Sequence, residues 1–381
     1  MDFGLTAEQS KRLDELTGAV RDRLATDGPP GSADRSPRQR WRVAAELGLT
    51  GLCLPAEHGG GGLGALDTAL CLEATTRGGA ETGLAFAIAA HLLACGVPIR
   101  DFAAEPTRAE LLTGLASGEL IAANAMTEDE AGSDVSRLTT TAVRDGDGWR
   151  LDGVKSFVSN GPIADLLVTY AVTDPAAGHL GITAFAVPRH SPGVTVSPPL
   201  AKLGLHGCQA GRVEFAGCRI PDRYRLGDEG SGSAVFQHSM GWERACLFGI
   251  YLGAMDEQLH RAIRHAGQRR QFGRSIGDFQ AVSHRIAGMK QRLEAARLLL
   301  YRACWALDRD TDDRIAAAAL SKVAVSEAAV ANGLDAIHLF GAAGYLVPTG
   351  IEAGLRDAIP AGIFSGTTEI QRDIIAREVG L

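Results

Sequence analysis

Leu13, Leu16, Val20 and Leu24 recur every three or four residues, the spacing of a helix with one buried face. Thr6 and Gln9 stand just ahead of this stripe at the interval of a capping box, which places the helix start there. Asp27 to Pro37 is rich in Gly, Pro and Ser and reads as a disordered-looking connector. Helical spacing resumes at Arg38 to Leu47, Leu66 to Arg77 and Thr82 to Leu93. The glycine-rich Pro55 to Gly64 cannot stay helical and is expected to be a loop. Its four consecutive glycines invite comparison with a phosphate cradle. The strand-then-helix context and the Lys-Ser/Thr pair of a P-loop are missing, so the plain loop is preferred.

Near Ile121 the pattern changes to β-branched stretches separated by turn residues. Thr139 to Arg144 and Trp149 to Leu151, joined by Asp145-Gly146-Asp147-Gly148, form an expected hairpin. Leu166 to Val172, Ile182 to Val187, Val194 to Ser197 and Arg212 to Phe215 are expected to be further strands. From Ser231 long Ala-, Leu- and Arg-rich helical patterns return, through Ala303 and again from Arg314 to Phe340. Helices, then sheet, then helices predict an α+β protein with segregated layers over 1–120, 121–230 and 231–381.

Composition narrows the function. Apolar residues make up 45% of the 381 positions and the net charge is −7, which fits a globular enzyme and argues against nucleic acid as a partner. Seven scattered cysteines, with no CxxC pair, argue against a metal site or a disulfide framework and fit the reducing cytoplasm. No signal segment opens the chain. Its apolar runs are interrupted by Gly, His or charge, so no membrane span is expected.

Four separated segments carry candidate chemistry. They are Ala125-Met126-Thr127-Glu128-Asp129-Glu130-Ala131-Gly132-Ser133-Asp134, Gly153-Val154-Lys155-Ser156-Phe157-Val158-Ser159-Asn160-Gly161, the arginine-rich run from Gln268 to Gln280, and Phe364-Ser365-Gly366-Thr367-Thr368-Glu369-Ile370-Gln371. An arginine cluster such as Arg269, Arg270 and Arg274 is by itself usually a solvated helix face. In this order and spacing, however, the segments resemble the acyl-CoA dehydrogenase family over most of the chain. That resemblance implies an N-terminal helical domain, a central antiparallel β domain, a C-terminal four-helix bundle, and FAD as cofactor. It also implies a homodimer or homotetramer.

By the same resemblance, Met126, Thr127, Ser133, Phe157, Ser159, Thr367 and Glu369 meet the cofactor. Arg269 meets its pyrophosphate. Gln271, Phe272, Phe279, Gln280, His338 and Gly341 belong to the same cofactor site, with Gln280 and the Gly341 to Gly344 loop reaching in from a neighbouring subunit. Ser133, Arg244, Ser365 and Gly366 would hold the substrate. A flavin needs a flat apolar neighbour, donors for its pyrimidine edge and partners for two phosphates, and these residue types supply all three. The chain departs from the family at His338, where many relatives have Gln, at Ala342-Ala343, at Asp129, and in Lys202-Leu203-Gly204-Leu205-His206-Gly207-Cys208.

Removing a proton α to a thioester requires a carboxylate whose pKa a dry pocket has raised. Many relatives place a Glu before Gly-Thr in the last segment; here Ser365 stands there and cannot act as a base. In the branch resembling isovaleryl-CoA dehydrogenase the base lies on an earlier helix just before an Arg, and Glu243 occupies that position. An ordinary Glu favoured by the helix dipole in a first turn is the competing reading. Cys246, one turn on, is either a pocket residue or a small buried apolar one.

The stretch Ser239 to Phe248, with Cys304-Trp305 later, looks closest to members that act on acyl groups tethered to carrier proteins, prolyl thioesters first among them. That implies two successive two-electron oxidations towards a pyrrole, with electrons passed to oxygen or an electron-transfer protein. The alternatives are a short or branched acyl-CoA, a hydroxyacyl or aminoacyl group on an acyl carrier protein, or a flavin oxygenase on the same fold.

Overall fold

The computed structural model describes residues 4–25 and 36–381. Helix α1 (Ala7–Arg23) starts at the anticipated capping box, Thr6 accepting from the Gln9 amide and Gln9 returning the bond. Most of the Asp27 to Pro37 connector lies outside the described residues, and its end is corrected. Ser36 and Gln39 form a second capping box, and Pro37 is the first residue of α2 (Pro37–Glu46), where its missing N–H costs nothing.

Between α2 and α3 (Ala65–Arg77) the glycine loop turns its amides inward. Gly60, Gly61 and Gly62 donate to Pro55, Gly51 and Leu54 carbonyls, and a side chain at Gly60 would collide with the Leu54 carbonyl at 2.2 Å. With its donors spent on the backbone, this loop is no anion cradle.

Helix α4 (Thr82–His91) does not stop near Leu93 but continues through a π-helical turn, Leu92–Gly96, into α5 (Val97–Phe102). This 21-residue run is long and apolar enough to cross a membrane, as is Arg314–Phe340, but 94% of its apolar window is buried inside the protein. It is a core helix, interrupted by His91, Gly96, Arg100 and Asp101. Helix α6 (Thr107–Ala116) was not anticipated; its apolar contacts, Leu111, Leu112 and Leu115, are too few to establish a period.

Strands β1 (Ala122–Ala125), β2 (Thr141–Asp145), β3 (Gly148–Ser159), β4 (Leu166–Val172), β5 (Ile182–Pro188), β6 (Val194–Val196), β7 (Ala210–Pro221) and β8 (Arg225–Leu226) form one sheet. Their order is β6-β7-β3-β2-β4-β5-β8, with β1 added beside β4. The sheet is antiparallel except where β4 meets β1 and the end of β2 in parallel. Strands β3 and β7 run 12 residues each, well beyond the short segments expected, because a bulge lets polar residues interrupt the alternation without ending the pairing.

The C-terminal helices are α7 (Gly232–Trp242), a second π turn (Glu243–Leu247), α8 (Gly249–Gln268), α9 (Gln280–Asp308) and α10 (Arg314–Phe340). Between α8 and α9 lies a small hairpin of β9 (Arg270–Gln271) and β10 (Arg274–Ser275). Short α11 (Ala342–Tyr345), α12 (Ile351–Ala358) and α13 (Thr368–Glu378) close the chain. One large apolar core joins the helices to the inner face of the sheet through Leu166, Val168 and Tyr170, and a smaller one around Trp149, Phe185 and Phe215 covers the outer face. The centre of the sheet is thus buried on both sides, which holds β3 and β4 rigidly against α4 and the π turn.

Candidate active site

Glu243 does not sit in a first helical turn. It follows α7 directly and opens the second π turn, where the wider winding swings Glu243, Arg244, Ala245, Cys246 and Leu247 into the core. The dipole reading of Glu243 therefore fails. Cys246 is fully buried with its thiol on the Ala65 carbonyl, which makes it packing against α3.

The Glu243 carboxylate is 7% exposed. Its Oε1 accepts a hydrogen bond from the Ser365 hydroxyl. Burial pushes its pKa up, while the Ser365 hydroxyl and the Arg244 guanidinium oppose the shift without cancelling it. Cys95, in the first π turn, and Tyr170 on β4 lie close enough to feel its charge.

Ser365 is held in place from three sides. Its φ is +57° and that of Gly366 is +84°, so the chain makes a tight left-handed turn before α13. Arg244 Nε donates to the Ser365 carbonyl at 2.9 Å, and Gln371 Nε2 donates to the Ser365 and Gly366 carbonyls at 3.3 and 3.1 Å. A Cβ at Gly366 would come within 2.7 Å of Gln371 Nε2 and 3.3 Å of Arg244 Nη2. Thr367 then caps α13 by accepting from the Ile370 amide. Beside the turn, Phe364 packs on Phe86, Phe248 and Tyr251 with ring centroids 4.7, 5.6 and 6.4 Å away.

The segments around Met126 and Phe157 also meet. The Ser156 amide donates to the Thr127 carbonyl at 2.7 Å. Lys155 is wholly buried and donates to Glu128 at 2.8 Å and to the Met126 carbonyl at 3.2 Å. Glu128 accepts four more bonds from the amides and hydroxyls of Thr139 and Thr140. Burial raises its pKa, but Lys155 and these donors outweigh it and hold the carboxyl down at about 2. Asp129 is engaged by Ser156 at 2.6 Å and by Arg212.

At Phe157 the β3–β7 register slips and φ is +56°, so its ring leaves the sheet and is 64% exposed. Ser159 is half-buried and Ser133 is exposed nearby in sequence to the Glu128 anchor. The sequence signals for Lys155 and Glu128, missed as anchors, were a lysine inside an otherwise strand-like segment and a Glu among turn residues.

The remaining candidates gather elsewhere. Arg269, Gln271, Phe272 and Gln280 are exposed on or beside the β9–β10 hairpin; Phe279 is half-buried, with Arg274 stacked 4.0 Å from its ring centroid. His265 stacks on Phe340 at 4.1 Å, which brings this hairpin to the same end of the bundle as His338 and Gly341. Helix α8, 20 residues long, spans about 30 Å between this end and the Glu243 turn. Within one chain the two groups do not meet. A separate cavity of about 510 Å³, lined by Glu81, Gln258, Arg261 and Asp357 among others, contains none of the candidate residues.

The N-terminal, middle and C-terminal domain models of acyl-CoA dehydrogenase match residues 6–119, 123–218 and 230–380. The chain belongs to the acyl-CoA dehydrogenase family. Among its relatives in that family is the L-prolyl-[peptidyl-carrier protein] dehydrogenase of Pseudomonas fluorescens, 52% identical over the whole of both chains. The protein of the same name from a Serratia species is 41% identical over 100% of this chain and 99% of that one. A solved structure of PigA with FAD and proline superposes with a TM-score of 0.94 at 40% identity, covering both chains completely.

Proposed function

We propose that this protein is an FAD-dependent dehydrogenase that oxidises a prolyl group, held as a thioester on a peptidyl carrier protein, between its α and β carbons towards a pyrrolyl product. The observation that carries the reading is the buried Glu243 carboxylate, hydrogen-bonded by Ser365 beside the packed ring of Phe364. The names of the two whole-chain relatives and the proline and FAD of the PigA structure support the substrate and the cofactor.

The residues present fit FAD. Phe157 offers an exposed aromatic ring on β3, Ser159 stands two residues on in the same strand, and Thr127 is tied to that strand by the Ser156 amide, while Thr367 caps the N-terminus of α13 beside Glu369. Met126 is buried and Ser133 exposed in the adjoining segment. When bound, FAD supplies the acceptor for the hydride that leaves the β carbon. Arg269, Gln271, Phe272, Phe279, Gln280, His338 and Gly341 would complete that site from a second copy of the chain, because in their own chain α8 keeps them far from Glu243.

Glu243 takes the α proton on Oε2, since Oε1 is engaged by Ser365. Burial raises its pKa above that of a surface carboxylate, which makes its ionised form the stronger base. Ser133, Arg244, Ser365 and Gly366 orient the thioester. Phe86, Phe248 and Tyr251 pack on Phe364, the residue before Ser365, so apolar rings border the turn that holds the base. A pyrrole requires a second two-electron oxidation, with oxygen or an electron-transfer protein as the final electron acceptor. The work is cytoplasmic.

The test mixes purified yellow protein with prolyl-loaded carrier protein, prolyl-CoA and isovaleryl-CoA and follows oxidised-flavin absorbance. Rapid bleaching by the prolyl carrier protein alone is expected. Faster bleaching by isovaleryl-CoA would replace the carrier substrate with a free acyl-CoA.

A further inference from the structure

Helix α10 runs through alanine-rich core from Ala316 to Ala319, and then a lysine appears where another small or apolar residue would pack without cost. Lys322 has no exposed surface, and its Nζ has no hydrogen-bond partner among the described residues. Such a group is retained only where its charge is used, because burying an unpaired ammonium is expensive.

Its surroundings lead to the base. The Nζ stands 5.8 Å from the centroid of Phe248, whose ring packs on Phe364, the residue before Ser365. The charged groups acting on it are Arg244 of the π turn, which repels it, and Glu369 of α13, which attracts it. Arg244 in turn donates to the Ser365 carbonyl and is the cation that acts on Glu243. On α13, the buried Gln371 Oε1 also has no hydrogen-bond partner among the described residues, while its Nε2 holds the same Ser365 turn. Burial and Arg244 hold the Lys322 pKa down at about 8, so it is mostly charged at neutral pH.

Resting on the dehydrogenase reading above, we propose that Lys322 is a positioning residue: its buried ammonium presses Arg244 onto the Ser365 turn and through it keeps the Glu243 carboxylate ionised in a dry pocket. Lys322 touches neither the base nor the substrate. Its effect travels by charge through Arg244, while Cys95 and Tyr170, the other titratable groups close enough to feel the base, have pKa values raised by burial.

The protonated-carboxyl infrared band of Glu243, isolated by difference against Glu243→Gln, is titrated in holoenzyme without substrate, so the outcome does not depend on which thioester is oxidised. Removing a nearby cation favours the neutral acid, and Lys322→Met should move the midpoint up by about half a pH unit or more. Lys322→Arg, which keeps the charge, should leave the midpoint near that of the unaltered protein. A wholly structural lysine would change the melting temperature and leave the midpoint alone. The proposal is overturned if Lys322→Met titrates with the unaltered protein. Should Lys322→Met fail to fold, Lys322→Gln takes its place. The unaltered protein gives an independent reading: the Arg244–Ser365 contact should loosen around pH 8, seen as a change in Trp242 fluorescence that Lys322→Arg displaces to higher pH. No such change near pH 8 would also sink the idea.

Discussion

The two ends of α8 are built on opposite principles. At its start, the Glu243 turn is buried, and its main polar contacts are made inside the chain: Ser365 on Glu243, Arg244 and Gln371 on the Ser365 carbonyl. At its far end, Phe272 is 92% exposed at the tip of a hairpin, and Tyr345, 80% exposed, stands with Leu346 and Val347 beyond the Gly341 loop. One end is a finished site. The other displays large apolar side chains that an isolated chain rarely leaves in water, as a surface awaiting a partner does. A catalytic base must have its pKa set by fixed neighbours, whereas a cofactor arm can be supplied by another subunit.

Three experiments break or sharpen that contrast. The largest effect is expected from Glu243→Gln, which should keep FAD bound yet slow flavin reduction by about 10²- to 10⁴-fold, the usual contribution of a positioned base. Stopped-flow absorbance measures this, and near-normal reduction would remove Glu243 from the mechanism.

Next comes Arg269→Ala. Losing a charge-assisted contact to a phosphate should weaken FAD binding about ten- to a hundredfold, measured by flavin release on dilution. Mixing unfolded-and-refolded Glu243→Gln and Arg269→Ala chains then asks whether one site uses both subunits. If it does, dimers of one chain of each kind contain one intact site, and up to about a quarter of full activity returns. If each chain serves itself, none returns.

The smallest effect is expected from Ser365→Ala. Its hydroxyl lowers the Glu243 pKa against burial. Without it the carboxyl pKa rises, the base is ionised only at higher pH, and the acid limb of the flavin-reduction profile moves upward. Activity should fall several-fold near neutral pH and recover at alkaline pH. An unmoved acid limb would mean that the Ser365 bond does not tune the base.

Much of this was legible from residues. The capping box at Thr6, the α+β order and the position of Glu243 before Arg244 are local patterns that a chain displays without folding. The Lys155–Glu128 anchor was not legible, since the partners lie 27 positions apart on elements with no shared period. The π turns were also invisible, because every residue in them is buried and no polar face marks the phase of the winding. Ser365 shows both cases at once: its sequence position announced that the usual carboxylate was gone, and only the fold revealed that its hydroxyl now holds the replacement.

The sequence by itself determined the order of helical and strand regions, that a flavin-type set of segments is present, and which carboxylate stands before an arginine. These follow from spacing along the chain. Tertiary structure alone decided that Glu243 is buried, that Ser365 reaches Glu243 and Arg244 across 122 and 121 positions of separation, and that the buried Lys322 ammonium has no hydrogen-bond partner among the described residues. The reason is physical: desolvation and charge act over ångströms in space, and the distance between two residues in space is set by packing of the whole core.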